Sequence, residues 1–436
     1  MTKGLNKLQI IVGEESLTRF GGIFLIQRFC KKLRLKILLQ KKILFHQRAS
    51  SYHPTDLIMA IIFAIIVGIN RLSKTKILQQ NGAFQKIIGI RGFPYASSLR
   101  RFLKRCDPKI IAGINKIHDQ LRLKMFYLPH PRTNILLDFD STAVTIYGKL
   151  IEGAKVGYNP GNKGKRSYHP LVCFEYYTKD FWHGVLRHGD AYTAAGAPEF
   201  LKESLQKIPP YIYRVRVRAD SGFFDHKFIE PLDEKCIGYV IVAKLTGGIK
   251  KKLLGLRYHQ FKKDWSVAEF QYAPMNWKTI HRFIVIRRKI SDKPQEQLTL
   301  FTLERYSYQI FVTNIPLEAH NIWYFYRGRA SIEIHIKELK QDFNLTKIPT
   351  NSFLANQVYF ALLLLAYNII NWFKRLCLPE QLKNATLETI RAEILVFPAR
   401  LTKRGSKNVL NLPAAQYLSN QLLNYVIQKI ERLKIT

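Results

Sequence analysis

Apolar and polar positions fall into distinct textures along the chain. Leu57 to Ile69 is almost unbroken apolar and follows His53-Pro54-Thr55-Asp56, a helix start because proline suits a first turn. Shorter helical patterns follow at Lys74–Gln80 and Phe84–Ile88, Gly92-Phe-Pro94 breaks the chain, and Ser97-Ser98 is placed to cap Leu99–Arg105. From Asn134 the texture becomes strand-like. Strands are predicted at Ile135–Val144, Tyr168–Tyr177, Phe181–His188, Ile212–Asp220 and Gly238–Leu245, with helices at Ala197–Ile208 and near Asp225–Glu234. This order predicts a mixed α/β sheet with helices packed on it. Residues 246–315 are β-like and aromatic, as in His281–Arg287 and Gln297–Leu303, and the chain after Thr350 reads as helix.

The domain boundaries that follow are a helical region 1–130, an α/β core in two pieces (131–245 and 316–350), a β-rich insertion 246–315 between them, and a helical region 351–436. Asn351–Phe373 is uncharged but contains Asn356, Gln357, Asn368 and Asn371, so it reads as a buried core helix rather than a membrane span.

One polar pattern breaks the apolar logic. In Tyr326-Arg-Gly-Arg-Ala-Ser-Ile-Glu-Ile-His-Ile-Lys-Glu-Leu-Lys340, helical periodicity brings Tyr326, Arg329, Glu333, Lys337 and Lys340 onto one stripe. A carboxylate, an aromatic and three cations together suit a site that holds a metal ion and phosphates, whereas an apolar core has little use for them. A solvated helix face with i,i+4 ion pairs is the plainer alternative.

Charge shifts the balance between the two. Lys and Arg number 69 against 31 Asp and Glu, a net charge of +38 and an isoelectric point near 10.0, which makes a polyanion, nucleic acid first, the expected partner. Residues 1–130 contain 24 basic and 5 acidic residues, half of the net charge, as a DNA-binding module requires. The five cysteines are scattered without a C-x-x-C pair, which disfavours zinc and disulfide scaffolds and fits a reducing compartment. With no apolar leader evident at the N-terminus, a cytoplasmic, nucleoid-associated protein is expected.

Carboxylate chemistry is to be sought in the middle of the chain. Asp138 and Asp140 lie in one strand and point the same way, and Asp220 ends another. Acids at such places are costly unless paired or metal-bound. Converging with Glu333, they would make a hard oxygen site for Mg²⁺, with Mn²⁺ as a substitute. Two such ions can activate a water or a 3′-hydroxyl against a phosphodiester without any nucleophilic side chain. No G-x-S-x-G, P-loop or H-E-x-x-H motif supports another chemistry. The lysine- and glycine-rich loop Gly157–Arg166 offers Lys163, Lys165 and Arg166 to backbone phosphates, or is a solvated loop.

These segments resemble the DDE transposases of bacterial insertion sequences, of the group with a Y-R-E-K signature. Asp140-Ser-Thr resembles the first acid motif, Arg218-Ala-Asp220-Ser-Gly-Phe-Phe the second, and Tyr326 to Lys340 the third; Gly157-Tyr-Asn-Pro and Ser167-Tyr-His-Pro resemble a loop of one branch. The resemblance implies an RNase H-like core with a β-strand insertion between Asp220 and Glu333, which lie 113 positions apart. It implies metal ligation by Asp140, Asp220 and Glu333, with Asp138 a rival that the family register disfavours. Tyr326, Arg329, Lys337 and Lys340 would then hold phosphates. It further implies cleavage at terminal inverted repeats, strand transfer to target DNA, and a homodimer pairing the two ends. Trp265 or Trp277 could stack on a flipped base, although core packing is the plainer role for each. A different RNase H-like nuclease, or a domesticated or inactive DNA-binding protein, remains the competing expectation.

Overall fold

The computed structural model describes residues 16–45, 52–274, 277–290, 301–303, 306–412 and 420–435; the start of the basic N-terminal stretch and most of the expected strand Gln297–Leu303 lie outside them. Two compact units form. One comprises residues 1–117, 342–349 and 361–436, the other 118–341 and 350–360.

In the first unit, α1 (Pro54–Ile66) begins as predicted, with the His53 ring accepting from the Thr55 amide at 3.2 Å. Every residue of α1 except Asp56 is buried, and Asp56 pairs with Lys36 at 2.7 Å. After α2 (Gly82–Ile88), α3 (Ala96–Arg105) buries Leu99, Phe102 and Leu103 and exposes Arg101, Lys104 and Arg105. Its serines do not cap it. Pro94 leads into an extended Tyr95, the helix starts at Ala96, and Ser97 and Ser98 fall inside the first turn.

The second unit is built on one sheet. Its centre comprises β1 (Asn134–Ser141), β2 (Leu171–Glu175), β3 (Phe181–Val185), β4 (Arg214–Ala219) and β5 (Gly238–Val242). They lie in the order β3-β2-β1-β4-β5, with β1, β4 and β5 mutually parallel and β2 and β3 antiparallel to their neighbours. That order and those directions are those of an RNase H-like sheet. β1 is buried from Ile135 to Phe139, as a central strand covered on both faces must be. Within it, Phe139 is ringed by Phe200, Phe223 and Phe228.

The β-rich segment does not form a separate sheet. β6 (His259–Lys262), β7 (Trp265–Tyr272), β8 (His281–Lys289) and β9 (Tyr306–Thr313) continue the central one, with β9 antiparallel to β5. This extension supplies an apolar face on which α4 (Ala319–Arg327) packs, Ile322, Trp323 and Tyr326 lying against Val240, Ile284, Ile286 and Phe311. α5 (Ala330–Gln341) follows after a turn at Gly328-Arg329. The single helix expected across Tyr326–Lys340 is therefore broken.

The break coincides with a buried ion pair. Arg218 on β4 clasps Asp138 on β1 through Nε at 2.7 Å and Nη2 at 2.8 Å, and its Nη1 donates to the Phe325 carbonyl at 2.6 Å. A Cβ on Gly328 would lie 2.6 Å from that Nη1, so only glycine admits the guanidinium at the turn.

The chain then enters α6 (Phe353–Cys377), long and apolar enough to cross a membrane, with 83% of its apolar window buried inside the protein. The remainder is not wholly helical. β10 (Ala399–Arg404) and β11 (Lys407–Asn411) form a hairpin, and β10 also pairs with Leu17–Thr18 from the start of the same unit.

Asp138→Ala should lower stability by about 3–5 kcal/mol in urea unfolding, because Arg218 is left buried without its counter-charge. Replacing both residues with apolar ones of similar volume should cost less than that single change.

Candidate active site

Parallel pairing of β1 with β4 sets Asp138 opposite Arg218 and Phe139 opposite Ala219, so the next step along both strands places Asp140 and Asp220 side by side at their carboxyl ends. Neighbouring strands lie about 4.8 Å apart. Two carboxylates are thereby held together at one sheet edge. Asp138, one strand period back, is 1% exposed and fully engaged by Arg218, whereas the Asp140 side chain remains 13% exposed and faces the edge.

Local bonds fix each acid. Asp140 Oδ1 accepts from the Ser141 amide at 2.7 Å, and Oδ2 meets Arg329 Nη2 at 3.0 Å. Asp220 caps the short turn Ser221–Phe223, accepting from the Gly222 amide at 3.0 Å. The two turns are tied together through Thr193. Its hydroxyl lies 2.9 Å from that of Ser141, and its methyl sits 2.7 Å from where a Cβ on Gly222 would be. Glycine at 222 is therefore a packing requirement.

The Tyr326–Lys340 stripe divides by burial. Tyr326 and Arg329, before and within the break, are 9% and 6% exposed; Glu333 and Lys337 on α5 are exposed, and Lys340 is half-buried. Arg329 is an internal counter-charge to Asp140 and also donates to the Phe139 carbonyl at 3.0 Å. Tyr326 packs on Phe311, ring centroids 4.8 Å apart. Glu333 sits in the first turn of α5, where the helix dipole favours an acid, and makes no ion pair among the described residues.

Electrostatics link these groups. Burial raises the Asp140 carboxyl to about 6, Arg329 opposes the rise, and Asp220 and then Glu333 add to it. Burial pushes the Tyr326 phenol to about 12. Burial lowers the Lys340 ammonium, with Asp140 pulling it back up. Arg329 is held charged against its burial, chiefly by Asp140.

Asp140 and Asp220 are hard oxygen donors at adjacent positions and fit a divalent ion as a ligand pair. Glu333 adds to the negative charge felt by Asp140, while among the described residues no group of three His, Cys, Asp or Glu side chains is gathered closely enough to hold one ion. Lys163, Lys165 and Arg166 are exposed on the hairpin between Lys155–Val156 and Arg166–Tyr168, within a small sheet completed by Val144–Thr145. No hydrogen bond or ion pair joins them to the three acids among the described residues; Arg166 donates to the Lys149 carbonyl. Trp265 packs beside Trp323 at 4.7 Å, and Trp277 beside Phe224 at 5.1 Å and His281 at 5.0 Å.

Two residues at this edge carry no role in the sequence reading. His169, in Ser167-Tyr-His-Pro, is 1% exposed, bonds the Ala191 carbonyl, and feels the charges of Arg187, Asp220 and Lys340. Arg218 stands two residues before Asp220, where strand alternation could have signalled that it shares that residue's face.

A family model described as Transposase DDE domain group 1 matches residues 5–435. No curated protein matches the sequence. Among solved structures, a piggyBac transposase synaptic complex with hairpin DNA is similar at 12% identity and a TM-score of 0.42, covering 86% of this chain and 78% of that one. A Drosophila P element transposase strand transfer complex is similar at 12% identity and a TM-score of 0.23, covering 47% and 42%.

The raised Asp140 pKa has a stability consequence. Folding favours the protonated acid, so this group's contribution is greatest below the unfolded value near 3.8, declines as pH rises, and levels off above about 6. With a chelator present, Asp140→Asn should flatten that decline, on the order of 1–3 kcal/mol between those limits, in pH-resolved thermal unfolding.

Proposed function

The chain belongs to the DDE-domain transposases, and from that premise we propose that it binds the terminal inverted repeats of its own mobile element, cuts there and joins the freed ends to target DNA. The observation that carries this reading is the adjacent placement of Asp140 and Asp220 at the ends of parallel β1 and β4, with Glu333 on the helix that follows.

Transposases with a DDE domain use divalent ions, and we assign Asp140, Asp220 and Glu333 as the ligands of Mg²⁺, two ions in the full site. When bound, such ions supply Lewis acidity at the phosphodiester and lower the pKa of the attacking hydroxyl. The protein's own groups do the rest. Ionised Asp140 is needed for ligation, and Arg329 keeps its charge tolerable while the site is metal-free. Lys337 and Lys340 contact the strand being cut, Tyr326 packs on Phe311 beneath the turn that carries Arg329, and Lys163, Lys165 and Arg166 clamp the flanking backbone. In the first step water attacks phosphorus and the 3′-oxygen departs with a proton. In the second that 3′-hydroxyl attacks a target phosphodiester, displacing its 3′-oxygen. Each step exchanges one P–O bond for another, so neither an oxidant nor a nucleotide cofactor is required. Pairing of two ends calls for two active sites, and a homodimer on DNA in the cytoplasm meets that need.

Excision of a marker flanked by the native gene's two ends tests this. Wild-type protein should release the marker, while Glu333→Ala and Asp140→Asn should fall to background and still bind the ends. Equal excision with Glu333→Ala would remove that residue from the chemistry. Binding without excision by the wild type would favour a DNA-binding protein that has lost its activity.

A further inference from the structure

The first unit carries a feature that its helical sequence pattern conceals. β10 and β11 form a two-stranded hairpin whose base is fixed and whose end is free. At the base, Leu17 and Thr18 pair with Arg400 and Ala399, and the Leu401 amide donates to the Ser16 carbonyl at 2.8 Å. Ala399 is 3% exposed, and a Cβ on Gly21 would lie 2.8 Å from its methyl. At the other end Arg404 pairs with Lys407 across a two-residue turn, and Gly405 has φ +59°, the left-handed geometry such turns demand. Lys403 through Asn408 are all exposed.

Charge on this hairpin has one sign. Arg400, Lys403, Arg404 and Lys407 lie on it, and the sequence contains no acid between Glu393 and Glu431. None of the four has a carboxylate partner among the described residues. Beside the hairpin runs a groove of about 430 Å³ lined by Lys86 of α2 together with Arg400, Thr402, Lys403 and Asn408, again without an acid. Four unpaired cations on a rigid ribbon repel one another in the free protein, and a polyanion relieves that repulsion.

We propose that the hairpin Ala399–Asn411 is a DNA-binding wing that enters a groove of duplex DNA, with Arg404 and Lys407 at its tip and Arg400, Lys403 and Lys86 contacting flanking phosphates. Dimensions support a duplex as the occupant. Beyond the base fixed at Ala399–Leu401, the three residues Thr402–Arg404 and their partners Lys407–Val409 reach about 10 Å at about 3.4 Å per residue, which exceeds the depth of a major groove of about 8.5 Å. A groove about 12 Å wide admits a two-stranded ribbon. DNA contact is thereby shared between the two ends of the chain, since the hairpin belongs to the same compact unit as α1 to α3. This inference rests on the DNA-binding part of the function proposed above.

The test uses full-length protein and duplex DNA carrying the gene's native ends, with affinity measured by fluorescence anisotropy across a salt series. Arg404→Ala combined with Lys407→Ala keeps Gly405 and the buried base, and its melting temperature reports that the fold is retained. Two lost phosphate contacts should weaken binding and reduce the slope of log affinity against log salt by about two. Arg404→Lys with Lys407→Arg should keep the wild-type slope. Wild-type binding with the same affinity and slope in the alanine variant would overturn the wing and leave the transposase reading intact. Absence of any duplex binding by the wild type would overturn both, and the excision assay would show this independently. Preferential binding of the alanine-sensitive surface to anionic vesicles rather than duplex would also overturn the proposal.

Discussion

The bidentate contact between Asp138 and Arg218 organises much of the second unit. It joins the two central parallel strands, sets their register, and through the Phe325 carbonyl fixes where α4 ends. Arg218 is further covered by the rings of Tyr176 and Phe325, 4.4 and 5.2 Å from its guanidinium carbon. A charge so deeply buried is tolerable only when it is paired, and each of the three guanidinium nitrogens donates one bond here. Asp140 lies two residues beyond Asp138 and Asp220 two beyond Arg218, so the geometry of the sheet edge is inherited from this pair.

Burial then divides the acidic and basic residues into separate tasks. Arg329 turns inward to neutralise Asp140, while Lys337 and Glu333 remain in solvent on the next helix. The break at Gly328 makes that division possible, because a continuous helix would carry all five stripe residues on one uniformly exposed or buried face. The apolar support for this arrangement comes from the extended sheet. β7 to β9 present Val267, Ile284, Ile286 and Phe311 to the helix that precedes the break. The segment between Asp220 and Glu333 is thus part of the scaffold that positions Glu333.

Several elements were legible because their signals are local. Pro54 after His53 marked the start of α1, the unbroken apolar run at Ile135–Leu137 marked a central strand, and the alternation of helix and strand from Ala197 to Val242 marked the α/β core. The Tyr-Arg-Glu-Lys spacing drew attention to Arg329, which the fold pairs with Asp140. Other features carry no local signal. Ser97 and Ser98 looked like caps, but Pro94 and Tyr95 set the helix start at Ala96, three residues before Leu99. The hairpin at Ala399–Asn411 was read as helix because its apolar positions are few and its stabilising partner, Leu17–Thr18, lies almost the whole chain away.

What the sequence determined by itself was the inventory: basic charge concentrated toward the N-terminus, acids concentrated in the middle, a family signature and the order of the core elements. Those properties depend on composition and short-range periodicity, which the folded state cannot alter. What only the tertiary structure decided was which of two aspartates in one strand remains available. Asp138 and Asp140 share a face and differ by one strand period, so no local rule separates them. Arg218, arriving on the neighbouring strand, consumes the first and leaves the second beside Asp220. The grouping of the two chain ends into one unit is likewise a matter of long-range pairing, where the free energy lies in contacts between residues that periodicity treats as unrelated.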